Sequence, residues 1–154
     1  MRNTVGIISD THGLLRPQAV DALDGADLIV HAGDIGSPEV LDRLSQIAPV
    51  TAVRGNNDKG PWADALPVTE VLEVGACLLY VLHELQALDL DPGAAGFQAV
   101  VSGHSHQPRA EMRSGVLFLN PGSAGPRRFK LPVAVARITI DGSTLAHELI
   151  ELTV

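Results

Sequence analysis

The stretch TVGIISDTHG (residues 4–13) is a short apolar run that stops abruptly at a polar Asp-Thr-His-Gly turn. LIVHAGD (28–34) repeats the pattern, and VTAVRGNND (50–58) gives it a third time. Helix-like segments separate the three. Residues 17–23 have helical character and Gly25 closes them; Ser37-Pro38-Glu39 puts an N-cap serine before a proline at the first helical position, predicting a helix to about Ala48. Strand, helix, strand, helix, strand at this spacing predicts a parallel sheet.

The second half is richer in strands. Residues 68–74 and 76–82 read as consecutive strands around Gly75, and 99–102 as another that runs into Gly103-His104-Ser105-His106. Asp91-Pro92-Gly93 predicts a short helical piece ended by Gly96. Residues 116–119 lead into Asn120-Pro121-Gly122-Ser123, which shapes a turn, and 133–140 with 144–152 predict a final hairpin around Asp141-Gly142.

The polar clusters share one position: each follows the C-terminal end of a predicted strand. Asp10 and His12 follow the first, Asp34 the second, Asn56 the third, His83 the strand 76–82, and His104 with His106 the next. In open α/β sheets, ligands bind in the crevice beyond the carboxyl ends of the strands. Residues far apart in sequence therefore converge on one rim. Two Asp, one Asn and four His offer only nitrogen and oxygen donors, which suits Mn, Zn, Fe(II) or Ni and argues against a structural zinc. Seven donors are too many for one tetrahedral ion and about right for two ions sharing a carboxylate. Gly13, Gly33, Gly55 and Gly103 flank these donors, where the backbone must turn sharply or approach closely.

Composition narrows the class. At 154 residues, 45% hydrophobic and 3% aromatic, the chain fits one domain, residues 1–154, with an aliphatic core. Its one cysteine, Cys77, lies in an apolar run and reads as a core residue; a lone cysteine excludes an internal disulfide and fits a reducing compartment. No apolar run approaches the roughly 18 residues of a membrane span, and no targeting segment is read, so a soluble, cytoplasmic protein is expected. A net charge of −7 argues against duplex nucleic acid as a standing partner.

The ordered series SDTHG (9–13), GD (33–34), GNND (55–58), a strand-terminal His83 and GHSH (103–106) resembles the calcineurin-like metallophosphoesterase superfamily. The short length and NPGS (120–123) look like its small prokaryotic YfcE-like branch. The resemblance implies an α/β fold, a four-layer αββα sandwich of two mixed sheets flanked by helices. It also implies a ligand set: Asp10, His12 and His106 on one metal, Asn56, His83 and His104 on the other, Asp34 bridging. The expected activity is that of a metal-dependent phosphoesterase, a phosphodiesterase ahead of a phosphomonoesterase, in which a hydroxide bridging two divalent ions attacks phosphorus. Manganese is the expected metal, and the same donors accept Ni²⁺, Zn²⁺, Fe²⁺ or Mg²⁺. Asp34, Asn56, Asn57 and His104 form the catalytic set, with Asn57 donating to a phosphate oxygen and Asp58 orienting a neighbouring ligand.

Two departures from the family stand out. Larger members carry a His directly after the motif Asn, which assists at the leaving group; here the position is Asn57, which cannot act as a general acid. Members often read His-Gly-His at the strand-terminal His, whereas this chain reads His83-Glu84-Leu85 and so brings an extra carboxylate near the site.

Other residues read more plainly. His31 is structural, His147 an ordinary residue of the last strand, and Trp62 a loop anchor. Arg127, Arg128 and Lys130 read chiefly as a solvated loop, with the phosphate rim as the other reading; Arg54 divides evenly between the same two. The expected partner is a small phosphate-ester substrate, with no membrane, and the resemblance allows a homo-oligomer, dimer or tetramer. The competing function is a non-catalytic scaffold on the same fold, for which the retromer scaffold subunit is the precedent.

Overall fold

The computed structural model describes residues 2–154. Among the described residues, two mixed five-stranded sheets face each other. The first has the order β10-β9-β1-β2-β3 and the second β4-β5-β6-β8-β7. β1 (Arg2–Ile8), β2 (Leu28–His31) and β3 (Val50–Ala52) are parallel, joined by α1 (Pro17–Leu23) and α2 (Pro38–Ser45). A short α3 (Pro61–Asp64) leads to β4 (Thr69–Val74), which turns back into β5 (Cys77–Leu82). β5, β6 (Ala99–Val101) and β8 (Val116–Asn120) run parallel, with β7 (Arg109–Arg113) antiparallel on the edge. The chain then returns to the first sheet, where β9 (Ala134–Asp141) pairs antiparallel with β1 and forms a hairpin with β10 (Thr144–Glu151).

Side-chain alternation builds the layers, because successive residues of a strand face opposite sides of the sheet. Cys77, Leu79 and Val81 of β5 point into the core between the sheets; Tyr80 and Leu82 point out. Val5 and Ile7 of β1, with Ile138 and Ile140 of β9, meet Leu117 and Leu119 of β8 in that same core. On the outer face of the first sheet, Ala19 and Leu23 of α1 and Val40 and Leu44 of α2 cover Ile8 and Ile29. Arg137 of β9 donates to the carbonyl of Ala22 at 2.6 Å, satisfying an acceptor at the C-terminal end of α1.

The sandwich of two mixed sheets implied by the resemblance is present, with one outer layer reduced. The outer face of the second sheet carries a single 3₁₀ turn (Leu85–Ala87) and the following loop, whose Leu88, Leu90 and Phe97 pack on Tyr80, Leu82 and Val100.

Three local readings change. The helix expected at 91–96 is a set of turns: Asp91 Oδ1 accepts from the backbone N–H of Gly93 and Ala94 as an N-cap would, but the segment goes no further than one turn before Gly96 (φ 88°) ends it. α2 stops at Ser45 rather than Ala48, and Pro49 explains it by pushing the preceding residue out of helical geometry. Ser37 is extended at the N-cap, but its side chain makes no capping hydrogen bond.

Candidate metal centre

The C-terminal ends of β1, β2 and β3 meet those of β5 and β6, so the turns after five strands form one rim. Their backbone is unusual. Asp10 (φ 56°), His12 (47°), Asp34 (56°), His104 (71°) and His106 (64°) all lie in the left-handed region, which costs a side-chain-bearing residue about 1–2 kcal/mol. Outside this rim only Ser114 and Phe129 do so among the described non-glycine residues. Such strain persists where surrounding structure enforces it, and it concentrates at functional sites.

Two glycines make the close approach feasible. A Cβ on Gly55 would collide with the backbone N and the carboxylate of Asp34. On Gly103 it would strike Ser9 Oγ and meet Asp10 Oδ2 at 2.7 Å. Both carboxylates are therefore packed against a turn from another strand.

Six of the sequence-predicted residues gather into two trios, Asp10 with His12 and His106, and Asp34 with His83 and His104. In the first, Asp10 Oδ1 lies 3.3 Å from His106 Nε2 and 3.7 Å from His12 Nε2, and the two imidazole nitrogens are 3.4 Å apart. In the second, Asp34 Oδ2 lies 3.3 Å from His83 Nε2. The same oxygen is 3.8 Å from His12 Nε2, so Asp34 faces both trios. Donors held about 2.0–2.2 Å from a tetrahedral ion lie about 3.3–3.6 Å apart, close to the 3.3 to 3.7 Å between Asp10 Oδ1 and its two imidazoles and the 3.3 Å between Asp34 and His83. Buried Asp10 Oδ1 and His83 Nε2 have no hydrogen-bond partner among the described residues. A buried polar atom without a partner is costly, and a cation in each trio would satisfy the one it holds. The residues fit divalent metal.

The ionisation of the site points the same way. Burial by itself would raise the Asp10 carboxyl, but the facing His106 and His12 imidazoles and the Ser9 hydroxyl outweigh it and hold it well below the usual carboxylate range. Asp34 is likewise lowered: burial opposes, and His83 and the Asn57 amides prevail. His12 is raised, chiefly by Asp10. His83 is raised too, since Asp34 and Asp10 overcome its burial. In the ion-free protein the facing carboxylates favour the protonated form of these two imidazoles.

Around the trios runs a supporting shell. Ser9 Oγ donates to Asp10 Oδ2 at 2.7 Å and the His104 N–H to the same oxygen at 3.1 Å, leaving Oδ1 free. His83 Nδ1 faces the Ala32 carbonyl at 2.8 Å, which places the proton on Nδ1 and a lone pair on Nε2. Asp58, buried, accepts from the N–H groups of Gly36 and Gly55 and ties the second and third turns together. Its role is thus to join loops rather than to orient one ligand side chain. His31 is structural: the Gly33 N–H donates to its Nδ1, and Nε2 pairs with the Thr11 hydroxyl at 3.0 Å. Burial drops its pKa to about 4 and keeps it neutral.

Asn57 makes a contact that the sequence reading did not include. Its backbone N–H donates to Asp34 Oδ1 at 2.9 Å and its side-chain amide to Oδ2 at 3.0 Å, so one of its two amide N–H groups is committed to Asp34. Asn56 is exposed and lines, with His83 and Glu84, a cleft of about 480 Å³. Glu84 also borders a second cleft of about 490 Å³ that includes His104, and its carboxylate lies 3.8 Å from His104 Nδ1. Arg54 lines the first cleft and pairs with Asp64 at 3.5 Å. Trp62 packs against the α1–α2 core, His147 is exposed and Cys77 is buried between the sheets.

The turn at 120–123, expected near the site, has contacts there that the sequence did not specify. Asn120 donates to the Gly103 carbonyl at 2.9 Å, and Ser123 Oγ to the Asp10 carbonyl at 3.0 Å. Their signal was positional, since NPGS also follows a strand that runs parallel to β6.

Comparison with known proteins places this geometry. Residues 4–143 match the description of the calcineurin-like phosphoesterase superfamily domain. A probable metallophosphoesterase of Methanothermobacter thermautotrophicus is 35% identical, over 95% of this chain and 91% of its own. The phosphodiesterase YfcE of Escherichia coli is 31% identical, over 75% of this chain and 76% of its own. Among solved structures, Vps29 of Chaetomium thermophilum superposes with a TM-score of 0.81 at 19% identity, covering 94% of this chain and 86% of that one, a likeness of fold. Motif order, fold and relatives agree, and the chain belongs to the calcineurin-like phosphoesterase superfamily.

Proposed function

We propose that the chain hydrolyses phosphate esters, diesters ahead of monoesters, with two divalent cations held between its sheets. The observation that carries this reading is Asp34 Oδ2, which faces His12 of one trio and His83 of the other. Asp10, His12 and His106 would hold one cation, Asn56, His83 and His104 the second, and Asp34 both. Manganese suits this oxygen and imidazole set, as do Ni²⁺, Zn²⁺, Fe²⁺ and Mg²⁺. When bound, such a pair neutralises charge on the phosphoryl oxygens and lowers the pKa of an attacking water.

The chain's own residues set the geometry of that chemistry. Four neutral imidazoles offer lone pairs without adding negative charge where a phosphate must sit. Asn57 fixes both oxygens of Asp34, and with them the spacing of the two halves. Water adds to phosphorus as the bond to the leaving oxygen breaks, giving a phosphomonoester and an alcohol. Asn57 cannot protonate that oxygen, so weakly basic leaving groups are favoured. A small ester is the substrate expected beside a net charge of −7.

The test strips the protein with chelator and follows bis(p-nitrophenyl) phosphate and p-nitrophenyl phosphate while Mn²⁺, Ni²⁺, Zn²⁺ or Mg²⁺ is restored. Metal-restored turnover, faster on the diester and lost in Asp34→Asn and His104→Ala, is the expected result. A second reading, a scaffold without turnover, draws on the fold likeness to Vps29 and on Asn57. Metal binding with no hydrolysis of either ester would favour it.

A further inference from the structure

The loop between Ser123 and β9 carries Arg127-Arg128-Phe129-Lys130, three cations in four residues of a chain whose net charge is −7. Its root is fixed on the metal centre. Ala124 N–H donates to the Ser9 carbonyl at 3.0 Å, Ser123 Oγ to the Asp10 carbonyl at 3.0 Å, and Arg16 Nε to the Gly125 carbonyl at 3.0 Å. Gly125 packs so tightly on the Thr11 carbonyl that a Cβ there would collide with it. Ser123 bridges to Val133 and closes the base, while Leu131 N–H donates to the Arg128 carbonyl at 3.0 Å and turns the tip. The tip thus stands beside the Asp10–His12 turn. Arg128 is near enough to His12 for its charge to oppose protonation of that imidazole.

Phe129 is the unusual member. The chain has five aromatic residues, and this one is 94% exposed with φ at 53°. A single exposed apolar side chain is ordinary on a protein surface. A bare ring flanked by Arg128 and Lys130, on a loop rooted on the Asp10–His12 turn, has a specific use. Arginine binds phosphate through paired N–H donors, and an aromatic face stacks on a base.

We infer that the 127–130 loop is a nucleotide clamp: Arg127, Arg128 and Lys130 take the charge of the diester and Phe129 stacks on a base, making nucleoside phosphodiesters the preferred substrates. The inference rests on the phosphoesterase reading above for turnover, but not for binding. The net negative charge weighs against the other surface such a loop could serve, an anionic bilayer.

The test uses the full Mn²⁺-loaded chain and two diesters with a common leaving group, thymidine 5′-(p-nitrophenyl) phosphate and ethyl p-nitrophenyl phosphate. Stacking on an exposed ring predicts that Phe129→Ala lowers the kcat/KM preference for the thymidine ester by about 5- to 20-fold, mostly through KM. Arg127→Gln with Arg128→Gln raises KM for both esters. Calorimetry with thymidine 5′-monophosphate and inorganic phosphate supplies a readout free of turnover: Phe129→Ala should weaken the nucleotide and spare inorganic phosphate. If wild-type hydrolyses neither ester, the phosphoesterase reading fails and calorimetry alone decides the clamp. An unchanged ester preference together with unchanged nucleotide affinity overturns the inference. So does Phe129-dependent binding to phosphatidylglycerol vesicles with the nucleotide affinity intact.

Discussion

Asn57 donates to both oxygens of Asp34, and this is where a change of one amide reads out most cleanly. Asn57→Ala removes the side-chain donor and leaves the backbone one. Loss of an outer hydrogen bond to a metal ligand typically costs about 10–100-fold in metal affinity or activity, and a loss in that range is expected by metal titration and by diester turnover. Protonation of His12 and His83 gives a second handle. Both are raised above the ordinary histidine value in the ion-free protein, because carboxylates face them. A cation must displace those protons, so metal affinity should weaken as pH falls through the raised values and binding should release protons. Titration in two buffers of different ionisation enthalpy measures the release; affinity independent of pH between about 6 and 8 would contradict it.

At the level of elements, stability and function separate. Leu117 on β8 is buried between the sheets, whereas Met112 on β7 is 62% exposed. Leu117→Ala should cost about 2–5 kcal/mol in denaturant unfolding, and Met112→Ala should stay within about 0.5 kcal/mol. The elements carrying the candidate site were legible in sequence for a physical reason: a strand buried on both faces is a continuous apolar run, and the turn after it brings a sharp change to polar residues. β7 was not legible. RAEMR (109–113) has neither run nor alternation, and it is a strand because its backbone pairs with β8, with Glu111 held by Arg109 and Arg113 on the solvent side. The four-residue α3 is too short to show periodicity. Asp91 caps the N–H groups a helix start leaves open, as its sequence predicts, but with two glycines in the six residues that follow the start does not propagate.

Across the whole molecule, the centre exists only because the chain folds one sheet onto the other. Asp10 and Asp34 come from the first sheet, His83, His104 and His106 from the second, and side chains more than ninety positions apart, His12 and His106, meet at 3.4 Å. Sequence order placed every candidate at a strand end, but the division of imidazoles between the two carboxylates came from the family resemblance, because it depends on how the sheets pack. Nor did sequence order reveal that Asn57 serves Asp34, since an amide in a turn can point to either solvent or neighbour. The central claim is a pair of cations shared through Asp34, and the most direct measurement counts them. Chelator-stripped protein should be dialysed to equilibrium against Mn²⁺ and the bound metal determined per chain, with Asp34→Asn beside it. Two ions per chain, falling to one or none in the variant, is the predicted result. A single ion that Asp34→Asn leaves undisturbed, or no bound metal at all, would contradict the account.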